Sequence, residues 1–264
     1  MIEPPGTQLW ADSRWRDGWR VQRRWDGRAS RMLNPAGRIV CRGSIAECER
    51  ALEQAHPAQA PADHLVVLLH GLGRTRRSLA RLDRALLEAG FTTARLDYPS
   101  TRKPIQEHAE TVADLLDHMP TPAKLSFASH SLGGLIVRQL LGYDSAWRPS
   151  VERVVMVAPP NQGASLAASL DKGSIMRGIL GPSYGQIAQG FATTLPVPDV
   201  PVAIFAGDVT GVPGVPGDGL VSVDETRLEG STEHHIVPAI HTFLMNHPAV
   251  IHGAVSFLSR APDR

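Results

Sequence analysis

The stretch Leu-Ser-Phe-Ala-Ser-His-Ser-Leu-Gly-Gly, residues 125–134, decides the fold of this chain. Its first half predicts a short apolar strand, and Leu135–Leu141 predicts a helix, so Ser131 lies at a tight turn between them. Ser129 and Gly133 flank this serine two positions away on either side, where larger side chains would collide if strand and helix cross closely. The helix start presents free N–H groups and partial positive charge beside Ser131. Ser131 is therefore either a reactive serine or only a helix N-cap.

Buried strands and amphipathic helices alternate on both sides of this stretch. The predicted strands are Leu65–Leu69, Phe91–Leu96, Lys124–Ala128, Val151–Val157, Pro201–Ala206 and His235–Ala239, and the predicted helices are Arg77–Glu88, Ile105–His118, Leu135–Leu141 and Pro248–Leu258. Continuous apolar strands of this kind are typical of a sheet that is covered on both faces. The alternation predicts an α/β fold with a mostly parallel central sheet and helices on both faces.

Composition narrows the class of protein. The chain has 264 residues, 42% of them hydrophobic and 20% charged, with a net charge of +1. These values are ordinary for a soluble globular protein, and the charge gives no reason to expect a nucleic-acid partner. The sequence has no apolar run that would span a bilayer and no signal-peptide pattern at its start. Cys41 and Cys48 do not form a disulfide framework, so we expect a cytoplasmic location.

Residues 1–60 differ from the rest because they are rich in tryptophan and arginine. Two strands, Trp19–Trp25 and Arg38–Arg42, and a helix that begins at the capping box of Ser44 predict a small β-rich appendage. A Pro/Ala linker connects it to residues 61–264. One interpretation makes the Trp/Arg surface a site for a membrane, a nucleic acid or a partner. We favour the other, in which the tryptophans pack the appendage onto the main domain.

The segment Ser-His-Ser-Leu-Gly, residues 129–133, resembles the nucleophile elbow of serine lipases and esterases of the α/β-hydrolase fold. The usual pattern is Gly-x-Ser-x-Gly, and Ser129 departs from it while remaining small. The resemblance covers residues 65–264. It implies that Ser131 is a nucleophile, activated by a histidine that an acid orients.

In this family the acid and then the histidine follow the serine along the chain. We assign the base to His241, which follows a predicted strand and precedes the last helix. Of its neighbours, His234 and His235 are expected at the surface, His247 as a helix cap and His130 as a packing residue.

The acid is assigned to Asp218, because Gly-Asp-Gly-Leu-Val (residues 217–221) resembles the acid loop of many lipases. Asp208 is the main alternative, since it directly follows a predicted strand, and Asp224 is a more distant one. A plain Asp-Gly turn would also explain the sequence around Asp218.

The oxyanion hole of this family uses two backbone N–H groups. One would come from Leu132, and the other from Leu72 in His-Gly-Leu-Gly (residues 70–73), which follows the first core strand. His70 itself is expected to be structural. The arginines at positions 74, 76 and 77 are expected in solvent, with an acidic substrate group as the alternative partner.

Residues 161–200 interrupt the alternation of strands and helices. This insert is either a lid over the site or a connection that only packs. The preceding segment, Ala-Pro-Pro-Asn-Gln-Gly (residues 158–163), is also lipase-like and is expected to shape the pocket wall.

The sequence therefore predicts an esterase- or lipase-like hydrolase of carboxylic esters that needs no cofactor and no metal. Its partner would be a small-molecule ester or lipid, with transient contact to a lipid surface as a further expectation. A thioesterase, amidase or acyltransferase would use the same residues. A protein that binds ligands on a hydrolase fold without catalysis is the alternative from another class.

Overall fold

The computed structural model describes residues 7–57, 60–165, 175–209 and 217–261. Its strands are β1 Trp10–Arg16, β2 Trp19–Arg24, β3 Ser30–Leu33, β4 Ile39–Gly43, β5 His64–Leu69, β6 Thr92–Leu96, β7 Lys124–His130, β8 Val151–Val157, β9 Val202–Gly207 and β10 Glu233–Val237. Its helices are α1 Ile45–Ala55, α2 Ala80–Glu88, α3 Ile105–Asp117, α4 Leu132–Leu141, α5 Ile175–Leu180, α6 Pro182–Ala188, α7 Val223–Thr226 and α8 Pro248–Leu258. Along these parts of the chain, no helix has the length and apolar character needed to cross a bilayer.

The central sheet contains six parallel strands in the order β10-β9-β8-β7-β5-β6. Successive residues of β5 point to opposite faces: Val67 packs with helices α3 and α4, whereas Val66 and Leu68 pack with α2 and α8. Burial of each such side chain contributes about 1.5–3 kcal/mol relative to exposure. The predicted parallel sheet with helices on both faces is confirmed.

Several element boundaries differ from the sequence-based expectation by one to three residues, and three of the differences bear on the site or on the helix and strand beside it. Helix α4 begins at Leu132 instead of Leu135. Gly133 and Gly134 lower helix propensity, but they lie inside the helix because their neighbours leave no room for a larger side chain. The first turn of the helix expected from Arg77 is a separate 3-10 turn, Arg76–Leu79. Strand β10 pairs with β9 through Glu233–Val237, so the chain leaves the sheet two residues earlier than expected.

The N-terminal appendage is a four-stranded antiparallel sheet in the order β1-β2-β3-β4. Helix α1 covers one face, and Val21, Met32, Cys48 and Leu52 form the small core between them. A full capping box on Ser44 starts this helix, as the sequence predicts. Residues 58 and 59 of the expected linker lie outside the described residues, and the boundary at residue 60 stays a prediction.

The four tryptophans of the appendage do not share one role. Trp15 packs against the core of the main domain, and Trp19 packs against the small core of the appendage. Trp10 lies under the guanidinium of Arg31 at 4.1 Å, and Trp25 is exposed. Packing of the appendage onto the main domain is therefore found for Trp15, whereas Trp19 packs within the appendage itself and Trp25 is exposed.

The appendage docks on the main domain through Asp12, which is buried. The backbone N–H of Asp12 donates to the carbonyl of Asp97 at 2.9 Å, and the Asp12 carboxylate accepts from the N–H of Asp97 at 2.7 Å. The Arg20 guanidinium lies 2.9 Å from Asp97 and 3.5 Å from Asp12. Burial raises the pKa of Asp12 to about 6, although the Arg20 charge opposes this rise and the Asp97 charge adds to it.

This docking predicts a pH-dependent stability. Since the folded-state pKa of Asp12 lies above its ordinary value of 3.8, the folded protein binds the proton more tightly than the unfolded chain. The stabilisation is present below about pH 4 and is lost as the pH rises through about 6, with an upper limit of about 3 kcal/mol. The side chain of the Asp12→Asn variant cannot titrate. The difference in free energy of unfolding, variant minus wild type, should therefore become more positive between pH 4 and pH 7.

Urea denaturation at pH 4, 5, 6 and 7 measures this difference. Asp117→Asn, at an exposed position on α3, controls for the loss of one carboxylate. A constant difference between Asp12→Asn and the wild type at all four pH values would contradict the prediction.

Candidate active site

Ser131 lies alone between strand β7 and helix α4. Its backbone has φ 52° and ψ −120°, a conformation that non-glycine residues rarely adopt. The N–H of Ser131 donates to the carbonyl of Val157 at 2.8 Å, and its own carbonyl accepts from Gly134 N–H at 2.9 Å. Such strain persists only where the surrounding structure imposes it, and here β8 and α4 impose it from both sides.

Gly133 allows α4 to start directly against the sheet. A Cβ atom at this position would lie 2.4 Å from the carbonyl oxygen of Leu69 and 3.0 Å from that of His70. The close neighbour is thus the end of β5, whereas the sequence suggested the strand that precedes the serine. Ser129, where glycine is usual, donates its hydroxyl to the carbonyl of Val155 at 3.1 Å.

His241 and Asp218 are in direct contact. Nδ1 of His241 lies 2.7 Å from Oδ2 of Asp218, and the two residues are 8% and 2% exposed. Oδ1 of Asp218 accepts from the N–H groups of Leu220 at 3.0 Å and Val221 at 2.8 Å. The N–H of His241 also donates to the carbonyl of Asp218 at 2.9 Å. Because Nδ1 carries the proton toward the carboxylate, Nε2 keeps a lone pair available to act as a base.

The two alternative acids, Asp208 and Asp224, make hydrogen bonds to groups other than His241. Asp208 follows β9 and donates its backbone N–H to the carbonyl of Val237 at 2.9 Å. Asp224 lies in the short helix α7 and pairs with Arg227 at 3.0 Å. Within the described part of the chain, the carboxylate that contacts His241 is that of Asp218.

The alternative histidines also have partners elsewhere. His234 lies 2.8 Å from the hydroxyl of Thr226, and His235 pairs with the glutamate two residues before it. His247 accepts from the N–H of Ala249 at 3.2 Å and so caps helix α8, as expected.

His130 packs in the interior, as expected, but the sequence did not reveal its partner, the backbone of His241. Its Nε2 lies 3.1 Å from the carbonyl oxygen of His241, and the two rings lie 4.9 Å apart. Burial lowers the pKa of His130 well below its ordinary value, so the ring is neutral and Nε2–H donates to this carbonyl. On the other side, a Cβ atom on Gly71 would lie 2.8 Å from Nδ1. The neutral ring therefore fills the space between Gly71 and His241.

The loop after β5 passes beside the serine. A Cβ atom on Gly71 would lie 3.2 Å from the Cβ of Ser131. The N–H of Arg74 donates to the carbonyl of Gly71 at 3.2 Å and closes a turn around Leu72 and Gly73, whose φ is +66°. Leu132 begins α4, so its N–H belongs to the helical donors without an intrahelical acceptor. The structure thus brings the Leu72 turn and the start of α4 to the same serine.

His70 and Tyr98 support the base of this loop. Their rings stack with centroids 4.0 Å apart, and the Tyr98 hydroxyl donates to the carbonyl of His70. Nδ1 of His70 donates to the carbonyl of Gly71 at 2.9 Å. His70 is therefore structural, as expected. Arg76 differs from the expectation of solvation because its Nε lies 3.2 Å from Asp97.

The segment after β8 joins the site to the insert. Asn161 donates its side-chain amide to the carbonyl of Thr226 at 2.9 Å, and its oxygen accepts from Arg138 at 3.2 Å. Arg138 also donates to the carbonyls of Leu195 at 2.6 Å and Pro196 at 3.0 Å. Burial lowers the pKa of this guanidinium to about 10.

Residues 166–174 of the expected lid lie outside the described residues, and whether residues 161–200 form a lid stays a prediction. Within residues 7–57, 60–165, 175–209 and 217–261, the His, Cys, Asp and Glu side chains form no group of three or more that could hold a metal ion.

A sequence profile described as "Alpha/beta hydrolase family" matches residues 66–246, so the chain belongs to the α/β-hydrolase family. No curated protein matches the chain significantly in sequence. The serine turn, the buried acid–histidine pair and the parallel sheet are consistent with this family.

Similar solved structures include the mature form of the lipase BlEst2 of Bacillus licheniformis, with 19% identity and a TM-score of 0.62 over 77% of this chain and 96% of that chain. The carboxyl esterase MGS0156 from a metagenome has 16% identity and a TM-score of 0.56 over 76% of this chain and 77% of that chain. A thermophilic esterase of Thermogutta terrifontis has 14% identity and a TM-score of 0.54 over 75% of this chain and 90% of that chain. These similarities show the shared fold.

Because α4 packs closely against the end of β5, one methyl group added at Gly133 should strongly lower the free energy of unfolding. Gly133→Ala would place Cβ against two backbone carbonyls, and we expect a loss of about 3 kcal/mol in the free energy of unfolding. Gly178→Ala is the control, since the described residues place no atom within 4 Å of its Cβ. That helical substitution should stabilise by up to about 1 kcal/mol. Equal urea midpoints for the two variants would contradict the packing described for Gly133.

Proposed function

We propose that this α/β-hydrolase cleaves carboxylic esters, as an esterase or lipase, through Ser131, His241 and Asp218. The observation that carries this proposal is the buried hydrogen bond of 2.7 Å between Asp218 and Nδ1 of His241. It fixes the tautomer in which Nε2 can accept a proton. The strained turn of Ser131 and the membership of the α/β-hydrolase family support the same assignment.

In the proposed reaction, His241 removes the hydroxyl proton of Ser131 while the serine oxygen attacks the ester carbonyl. Asp218 stabilises the imidazolium that forms. The N–H groups of Leu72 and Leu132 donate to the tetrahedral oxyanion, and the positive end of α4 lies beside it. His241 then returns the proton to the leaving alcohol.

A water molecule completes the reaction by attacking the acyl-serine. His241 accepts the proton of this water and delivers it to Ser131 when the tetrahedral intermediate collapses. Every proton is thus carried by His241, and the reaction balances without a cofactor.

Exposed apolar side chains support an apolar acyl group or a lipid as substrate. Leu220 lies two residues after Asp218, Ile240 directly precedes His241, and Phe243, which is 61% exposed, follows it by two. Isolated exposed apolar residues are common, but three of them flank the proposed acid and base. We propose that they contact the acyl chain of the ester or the lipid surface that carries it.

Removal of the nucleophile or the base should abolish turnover of p-nitrophenyl esters. Ser131→Ala and His241→Ala should each lower kcat by roughly a millionfold, as for the same residues in other serine hydrolases. His247→Ala is the matched control, because it removes a helix cap and should cost about 1 kcal/mol of stability with little effect on kcat.

An acyl series from two to sixteen carbons, measured for the wild type and these variants, tests this prediction and separates esterase from lipase. Thioester and amide substrates in the same assay test the related reactions. Turnover that survives in Ser131→Ala, or a folded wild type with no activity on any acyl substrate, would refute the proposal and favour a binding protein.

Two variants, Asp218→Asn and Asp208→Asn, test which aspartate is the acid. Asp218→Asn should lower kcat about ten-thousandfold, because the amide favours the wrong tautomer of His241. Asp208→Asn should leave kcat within a few-fold of the wild type, since its described hydrogen bond is made by the backbone. A larger loss of kcat in Asp208→Asn than in Asp218→Asn would transfer the role to Asp208.

A further inference from the structure

The chain just before β1 reaches the turn that carries Leu72. The side-chain amide of Gln8 donates from Nε2 to the carbonyl of Arg74 at 2.6 Å. Its oxygen accepts from the hydroxyl of Ser100 at 2.8 Å and from the N–H of Thr101 at 3.2 Å. One side chain of the N-terminal segment thus connects the loop after β5 with the loop after β6.

Ser100 extends this connection to the residue next to Leu72. Its side chain is fully buried, and its hydroxyl oxygen accepts from the N–H of Gly73 at 2.9 Å while its proton goes to Gln8. The donors and acceptors of the three residues are therefore matched in a single chain from Gln8 through Ser100 to Gly73.

A second connection holds the far end of the same loop. The N–H of Arg76 donates to Oδ1 of Asp97 at 3.0 Å, and its Nε lies 3.2 Å from Oδ2. The same Asp97 carboxylate pairs with Arg20 of strand β2, and its backbone is bound to Asp12 of strand β1. The appendage thus contacts the segment 73–76 directly at the carbonyl of Arg74, and it binds the two residues, Ser100 and Asp97, that hold the ends of this segment.

We propose that Gln8 is a positioning residue for the oxyanion hole, and that the N-terminal appendage is thereby a working part of the active site. This inference rests on the proposed function, in which the N–H of Leu72 stabilises the oxyanion. Gln8 acts through Ser100 on Gly73 and directly on the carbonyl of Arg74, and so holds the two residues that follow the donor.

The turn needs such support because of its composition. Gly71 and Gly73 flank Leu72, and glycine permits many backbone conformations in the absence of other restraints. An oxyanion donor is effective only when it lies 2.7–3.1 Å from the oxyanion, so small displacements lower the rate. Complete removal of a donor costs about 100- to 1000-fold in kcat in other enzymes, and a displaced donor should cost less.

Kinetics of Gln8→Ala, Ser100→Ala and the double variant test the proposal on the short-chain p-nitrophenyl ester. We expect each single variant to lower kcat about tenfold with KM within twofold, because the loss concerns the transition state. The double variant should resemble either single variant, since both residues act through one chain of hydrogen bonds.

Met32→Val is the matched control. It leaves a small cavity in the core of the appendage, away from the loop, and should lower the melting temperature without changing kcat or KM more than twofold. Kinetics are measured at a temperature at which all variants are folded. Gln8→Ala with wild-type kcat, or a fall in kcat for Met32→Val equal to that for Gln8→Ala, would overturn the proposal.

Hydrogen exchange of the amides of Gly73 and Arg76 supplies a readout that does not need turnover. We expect exchange at Gly73 to become faster in Gln8→Ala and Ser100→Ala and to stay at the wild-type rate in Met32→Val. If the wild type shows no turnover that depends on Ser131, the proposed function fails, and exchange then decides whether Gln8 holds the loop. Unchanged exchange at Gly73 in Gln8→Ala would overturn the positioning role by itself.

Discussion

The site at the carboxyl edge of the sheet depends on the approach of helix α4 to the end of strand β5 at Gly133. Because a Cβ atom would lie 2.4 Å from the carbonyl of Leu69, only glycine lets the helix begin at Leu132. This early start forces the φ of 52° at Ser131 and places the first N–H groups of α4 beside it. The parallel sheet supplies the energy that holds the strain, since β5 is buried on both faces.

The remaining groups reach this edge on loops, and buried polar contacts fix them there. Asp218 holds His241 through both its carboxylate and its carbonyl. Neutral His130 then supports the carbonyl of His241 and fills the space toward Gly71. Each of these groups is buried, so a lost partner would leave an unsatisfied polar atom, which costs about 1–3 kcal/mol. These contacts therefore fix the positions of Asp218 and His241 at the edge of the sheet.

The sequence predicted the parts of this structure that depend on local pattern. Apolar runs located the strands, and the small residues around Ser131 located the turn. The contact between Asp218 and His241 was expected only through a family resemblance, because no local pattern separates Asp218 from Asp208. The contacts of Gln8 could not be predicted, since a glutamine near the start of the chain carries no signal of a partner 92 residues away at Ser100. Long-range polar contacts depend on the completed fold.

Labelling with a fluorophosphonate tests the central claim, that Ser131 is a nucleophile activated by its surroundings, most directly. The reagent is added to the folded full-length chain, and peptide mass spectrometry locates the adduct. We predict one adduct, on Ser131, that is absent in Ser131→Ala and forms much more slowly in His241→Ala. An adduct on another residue, or none in a folded wild-type protein, would contradict it.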